Sequence, residues 1–168
     1  LAVTFTNKAA REMKERAGKL VQGAEARGLT VSTFHNLGLN ILRREMEHFG
    51  LKKGFSIFDA DDSKALIGEL LHRENASDKI DLIRNLISQF KNQLTSPEEA
   101  VNTAENDGEL LAAKIYEVYN RHLRAYNAVD FDDLILLPTI GFRDNQELRE
   151  RWQNRVHYLL VDEYQDTN

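Results

Sequence analysis

Hydrophobic positions along this chain fall into two kinds of run. Short apolar or β-branched runs at Leu1–Thr6, Leu29–Ser32 and Tyr158–Asp162 break off at polar or acidic residues. That pattern predicts three buried strands, the last closed by two adjacent acids. Between them, from about Leu37 to Ala128, the period changes. Ile80, Ile83, Ile87, Phe90 and Leu94 keep helical spacing, as do Leu111, Ile115, Val118, His122 and Tyr126. Loops are marked by Gly50, Gly54, Thr95-Ser-Pro97 and Asn106-Asp-Gly108. The expected fold class is α/β and predominantly helical. A partial parallel sheet is formed by 1–36 and 129–168, with an all-α inserted subdomain over 37–128.

Local signals fix several element ends. Thr6 or Asn7 is a good N-cap for the strong helix formers Ala9–Glu15. Ser96 caps a helix with Pro97 in its first turn, and Glu98 and Glu99 favour the positive end of the helix dipole. Asp59-Ala-Asp-Asp-Ser63 lacks the glycine and distal Glu of a calcium loop, so it reads as another N-cap. Leu136-Leu137-Pro138 is expected to end or kink the helix that carries Asp132 and Asp133. Trp152 is expected to pack against the sheet, and His122 to be a partly buried structural histidine.

The last strand carries the first candidate chemistry. Acids at the carboxyl end of a parallel strand sit where such sheets bind ligands. Asp162 is placed to hold a hydrated Mg²⁺, and Glu163 to orient or deprotonate a water that attacks a phosphoryl group. The glycine-rich Gly-x-x-x-x-Gly-Lys-[Ser/Thr] loop that cradles nucleotide phosphates occurs nowhere in the chain. At the other end, Lys8 in a first helical turn opposes the dipole, a small local penalty that makes sense if this helix start faces phosphate. Phe5 has two readings: a base-stacking ring worth ~1–3 kcal/mol, or a core aromatic on a buried strand.

Four segments, in order along the chain, resemble motifs of the UvrD/Rep/PcrA group of superfamily 1 helicases. Thr4-Phe-Thr-Asn-Lys-Ala-Ala-Arg-Glu-Met13 is similar to motif Ia, and Val31-Ser-Thr-Phe-His35 to motif Ib. Asp130-Phe-Asp-Asp-Leu134 resembles the acidic motif that precedes motif II, and Tyr158–Asn168 resembles motif II itself. The resemblance implies a partial RecA-like sheet of the P-loop NTPase motor type with a helical insertion. It implies an ATP-dependent helicase or translocase that moves 3′-to-5′ on single-stranded DNA, with ATP and Mg²⁺ as its cofactors. By the same resemblance Asp162 binds Mg²⁺ through water and Glu163 positions the attacking water. Gln165 and Asp166 then relay the nucleotide state, and Phe5, Thr6, Asn7, Lys8, Thr33, Phe34 and His35 line the DNA path. Implied partners are single-stranded DNA, single-/double-strand junctions and replisome or repair proteins, in a bacterial cytoplasm at the nucleoid. The motor part of a RecB-type helicase–nuclease and a non-enzymatic DNA- or partner-binding helical module are the alternatives.

Composition narrows this only a little. The net charge of −5 argues against a uniformly basic nucleic-acid binder. Its distribution changes the picture: residues 1–50 hold eight Lys and Arg against five acids, and residues 51–168 hold fourteen against twenty-two. A local basic channel suffices, because phosphate charge is felt over roughly 8–10 Å. Zero cysteines exclude disulfides and thiolate metal sites, and the five histidines show no paired metal spacing. No run is long enough to cross a membrane, so no membrane partner is expected. Both ends read as cuts through a larger fold. Without the phosphate-loop lysine and a second domain's arginine, the chain alone is expected not to hydrolyse ATP.

Overall fold

The computed structural model describes residues 1–21, 28–73 and 76–167, so Asn168 of the last motif lies outside the described residues. Three short strands form one parallel sheet: β1 (Ala2–Thr4) in the centre, flanked by β2 (Val31–Thr33) and β5 (Leu160–Val161). The register pairs Thr4 with Thr33 and Val3 with Val161. All three carboxyl ends therefore point the same way. β1 is buried along its whole length, which accounts for its unbroken apolar run.

Two helices leave this edge. α1 (Asn7–Leu20) starts at Thr6, whose hydroxyl accepts from the Ala9 N–H at 3.1 Å. α2 (Phe34–Arg44) follows β2 with no loop, capped by the Thr33 hydroxyl, which accepts from the Asn36 N–H at 3.2 Å.

The inserted stretch holds α3 (Ala60–Arg73), α4 (Ile80–Asn92), α5 (Pro97–Thr103) and α6 (Asp107–Ala125). It also contains a strand that helical periodicity gave no sign of. β3 (Ser56–Phe58) pairs in parallel with β4 (Ala128–Asp130), joining the start of the helical stretch to its exit. A core of Leu66, Ile67, Leu71, Ile83, Ile87 and Tyr119 binds α3, α4 and α6. The α4 stripe is buried much as its spacing predicts, except that Leu94 ends the helix with a left-handed backbone (φ 57°). The α6 stripe holds in part, with Ile115 in that core and Leu111 and Val118 packed against it. Tyr116, Tyr119 and Leu123 face the core, while Tyr126 is exposed and the His122 ring nitrogen bonds the Val118 carbonyl at 2.9 Å.

The predicted caps form. Ser96 and Glu99 make a reciprocal capping box, Ser96 Oγ accepting from the Glu99 N–H at 3.2 Å and Glu99 Oε2 from the Ser96 N–H at 2.8 Å. Asp59 Oδ1 accepts from both the Asp61 and Asp62 N–H groups at 2.9 Å.

Three expectations fail for identifiable reasons. The last strand is not buried: β5 pairs with β1 on one side only, and Leu160 is 68% exposed. α7 (Asp133–Asp144) does not end at Pro138 but runs through it. Proline has no N–H for the carbonyl of Leu134 four residues back. That carbonyl is covered instead by Gly38 of α2, where a Cβ would lie 1.7 Å from the Leu134 oxygen. The absent side chain lets α2 and α7 pack in close contact. Trp152, on α8 (Gln146–Gln153), packs on Phe142 and donates its indole N–H to Glu45 Oε1 at 3.0 Å. It ties α8 to the end of α2 rather than covering the sheet. Among the described residues no helix is long and apolar enough to cross a membrane.

Candidate active site

The carboxyl edge of the three-stranded sheet gathers most of the predicted site residues. β5 ends at Asp162, whose backbone N–H donates to the Val3 carbonyl at 2.9 Å. Its side chain is held by β1: Thr4 Oγ1 donates to Asp162 Oδ2 at 3.0 Å. Glu163 follows in a left-handed conformation, φ 52° and ψ 45°. A glutamate gains nothing locally from this backbone, which costs roughly 1–2 kcal/mol in an L-residue. Such outliers concentrate at working sites. Gln165 donates its amide N–H to Glu163 Oε2, and the Asp166 N–H donates to the Glu163 carbonyl at 2.9 Å. Asp166 itself is exposed on the turn Tyr164–Asp166.

One strand over, Phe5 is no core residue. It is 42% exposed, and its ring sits 5.1 Å from that of Phe34. The two motifs also touch through Asn36 Nδ2, which donates to Asn7 Oδ1 at 3.3 Å. Lys8 is exposed, and the first turn of α1 carries no acid to neutralise it. Thr6 and Thr33 both spend their hydroxyls as helix caps, and Thr33 is buried. Their geometry makes them supports for the exposed residues beside them. His35 continues the row, its ring 5.8 Å from that of Phe131, which is also exposed. Phe5, Phe34, His35 and Phe131 thus form an aromatic ridge beside the acids.

Phe131 was not among the predicted contacts. Its signal lay in Asp130-Phe-Asp-Asp133, where one aromatic interrupts acids. Those acids have a different fate. Lys91, fully buried, donates to Asp130 Oδ2 at 2.7 Å and to Asp133 Oδ1 at 2.8 Å. The Tyr119 hydroxyl donates to Asp130 Oδ2 at 3.0 Å and also pairs with Ser63 Oγ at 2.9 Å. Burial alone would lower the Lys91 pKa, but the two carboxylates outweigh it and hold the ammonium above its ordinary range. Burial, with the Asp130 charge beside it, pushes Asp133 up to about 6 against the pull of Lys91. Burial likewise lifts Tyr119, which stays a hydroxyl donor. Lys91 lies on the α4 stripe at the spacing of Ile83 and Ile87, so a lysine in an apolar stripe was the overlooked sign of a buried acidic partner.

No cluster of three or more His, Asp or Glu side chains that could cage a metal occurs among the described residues. Asp162 offers one carboxylate, and among the described residues no side chain donates to its Oδ1. That donor set suits a hard cation held by one protein oxygen and completed by water and phosphate.

A small parallel sheet with a helical insertion is the fold class of this chain, and sequence comparison gives its family. The profile of the UvrD/REP helicase N-terminal domain matches residues 1–168, and the chain belongs to that family. It is 52% identical over 170 residues to the ATP-dependent DNA helicase Rep of Salmonella typhimurium strain LT2, covering 99% of this chain and 25% of that protein. It is 43% identical over 171 residues to the ATP-dependent DNA helicase PcrA of Staphylococcus aureus strain Mu50, covering all of this chain and 23% of that protein. The chain thus spans about a quarter of the length of these curated relatives.

Proposed function

We propose that this chain forms part of the first motor domain of an ATP-dependent helicase that translocates 3′-to-5′ on single-stranded DNA. One observation carries the reading: an acid pair with a strained glutamate and an exposed aromatic ridge emerge together from the carboxyl ends of three adjacent parallel strands. Asp162 would hold Mg²⁺ through water, and the cation would neutralise developing phosphoryl charge when bound. Glu163 orients or deprotonates the attacking water, Gln165 fixes its carboxylate, and Asp166 lies on the same turn to pass on the nucleotide state. Phe5, Phe34 and His35 stack on bases, Asn7 and Lys8 meet the backbone, and Thr6 and Thr33 hold the helix starts that present them.

In this reading residues 1–36 and 129–168 belong to the motor sheet and 37–128 to the inserted helical subdomain. The isolated chain lacks the phosphate-loop lysine, so it does not turn over ATP. The whole protein works in the bacterial cytoplasm, on single strands and junctions and alongside replication or repair proteins.

Fluorescence anisotropy with a single-stranded oligonucleotide tests the DNA face. Phe5→Ala should weaken binding about fivefold or more without changing its salt dependence, because stacking is not ionic. Lys8→Ala should weaken it and flatten the log–log salt slope by about one, the signature of a lost phosphate contact. Wild-type affinity and slope in both variants would refute the assigned path.

A further inference from the structure

Thr4 stands between the two halves of the proposed site. It is the last residue of β1, 2% exposed, and paired in register with Thr33 of β2. Its backbone leads directly into Phe5 on the aromatic ridge, and its hydroxyl donates to Asp162 Oδ2 across the sheet. Among the described residues this is the only side chain that hydrogen-bonds Asp162. Asp162 is partly exposed, and Glu163 beyond it turns left-handed, so neither helical capping nor tight packing fixes the carboxylate.

From this geometry we infer that Thr4 is a positioning residue for Asp162. A hydroxyl-to-carboxylate bond is charge-assisted and directional. It occupies Oδ2 and so turns Oδ1 outward to meet a hydrated cation. Without it the carboxylate rotates freely, and ordering it must be done by the cation itself, which weakens binding. The same hydroxyl joins the strand that carries Phe5 to the acid on β5, so a shift of β1 on binding a DNA strand moves Asp162 directly. The inference rests on the assignment of Asp162 to the cation.

The test uses the full-length protein and reads Mn²⁺ binding in the presence of ADP by electron paramagnetic resonance, with no turnover involved. Thr4→Val and Thr4→Ala both remove the donor, the second covering the case in which the valine methyl does not fit. Each should weaken Mn²⁺ binding by about tenfold, the range for a hydrogen bond to a charged group. Thr4→Ser, which keeps the hydroxyl, should stay within about twofold of the wild type. Affinity for a single-stranded oligonucleotide without nucleotide should be unchanged in all three. Wild-type Mn²⁺ affinity in both Thr4→Val and Thr4→Ala, or a serine variant as weak as the alanine one, overturns the inference. Asp162→Ala separates the levels. If it loses Mn²⁺ while the Thr4 variants do not, only the role of Thr4 falls; if it too binds like the wild type, the assignment of Asp162 falls with it.

Discussion

Two acidic runs in this chain look alike as sequence and behave as opposites in the fold. Asp130-Phe-Asp-Asp133 puts two carboxylates in the interior, clamped on one buried lysine and a tyrosine hydroxyl. Asp162-Glu-Tyr-Gln-Asp166 leaves its acids at a sheet edge, where among the described residues their carboxylates bond to the side chains of Thr4 and Gln165. In the first run every charge has an internal partner, and the energy goes into joining α4, β4 and α7. In the second the charges keep lone pairs free and the backbone is strained. Burial and pairing decide which acids hold the fold together and which remain available for chemistry. The buried run also sets the exposed one's surroundings, because it fixes Phe131 where the ridge needs it.

The contrast breaks first at Lys91. Lys91→Met keeps most of the volume but strands two carboxylates, and should lower stability by about 3–5 kcal/mol in urea unfolding. A loss under about 1 kcal/mol would mean that solvent reaches the network. Gly38→Ala comes next. Its methyl would collide with the Leu134 carbonyl that Pro138 leaves free, so α2 and α7 must part, at about 1–3 kcal/mol. The exposed run should respond with the opposite sign. Glu163→Gly removes a left-handed non-glycine residue and should raise the melting free energy by up to about 1 kcal/mol. A clear loss would show that Glu163 contributes to folding.

The smallest effect is in pH. Asp133 is pushed up to about 6, above its value in an unfolded chain, so the fold binds that proton more tightly. The stability from this group is full below the unfolded value and is lost as pH rises through about 6. Going from about pH 7.5 to about 5.5 should therefore stabilise the chain slightly, and Asp133→Asn should remove the gain. Glu45 works the other way but at lower pH. Burial alone would raise it, yet the Arg151 and Trp152 donors hold it below its usual value, so its contribution is full above the usual carboxylate value and is lost as pH falls below it.

The sheet and its edge were readable because strand runs, caps and acids are local signals. Thr6, Ser96 and Asp59 cap where their spacing placed them. Asp162 and Glu163 were visible because two acids close an apolar run. Features that depend on distant partners were not visible. β3 is three residues long and makes sense only beside β4, with Ile57 paired to Val129, 72 positions along the chain. Pro138 suggests a helix end unless Gly38 is known to be packed on its free carbonyl. Tyr119 lies beside the α6 stripe drawn through Ile115 and Val118, and its burial goes with a hydroxyl bond to Asp130, a partner on a distant strand.

Replacing Glu163 by glutamine in the full-length protein tests the central claim most directly. Glutamine keeps the size and a hydrogen bond but has no basic carboxylate. DNA-stimulated ATP hydrolysis should fall by at least about a hundredfold while ATP is still bound. Turnover near the wild-type rate would contradict the assignment of the exposed acids to chemistry.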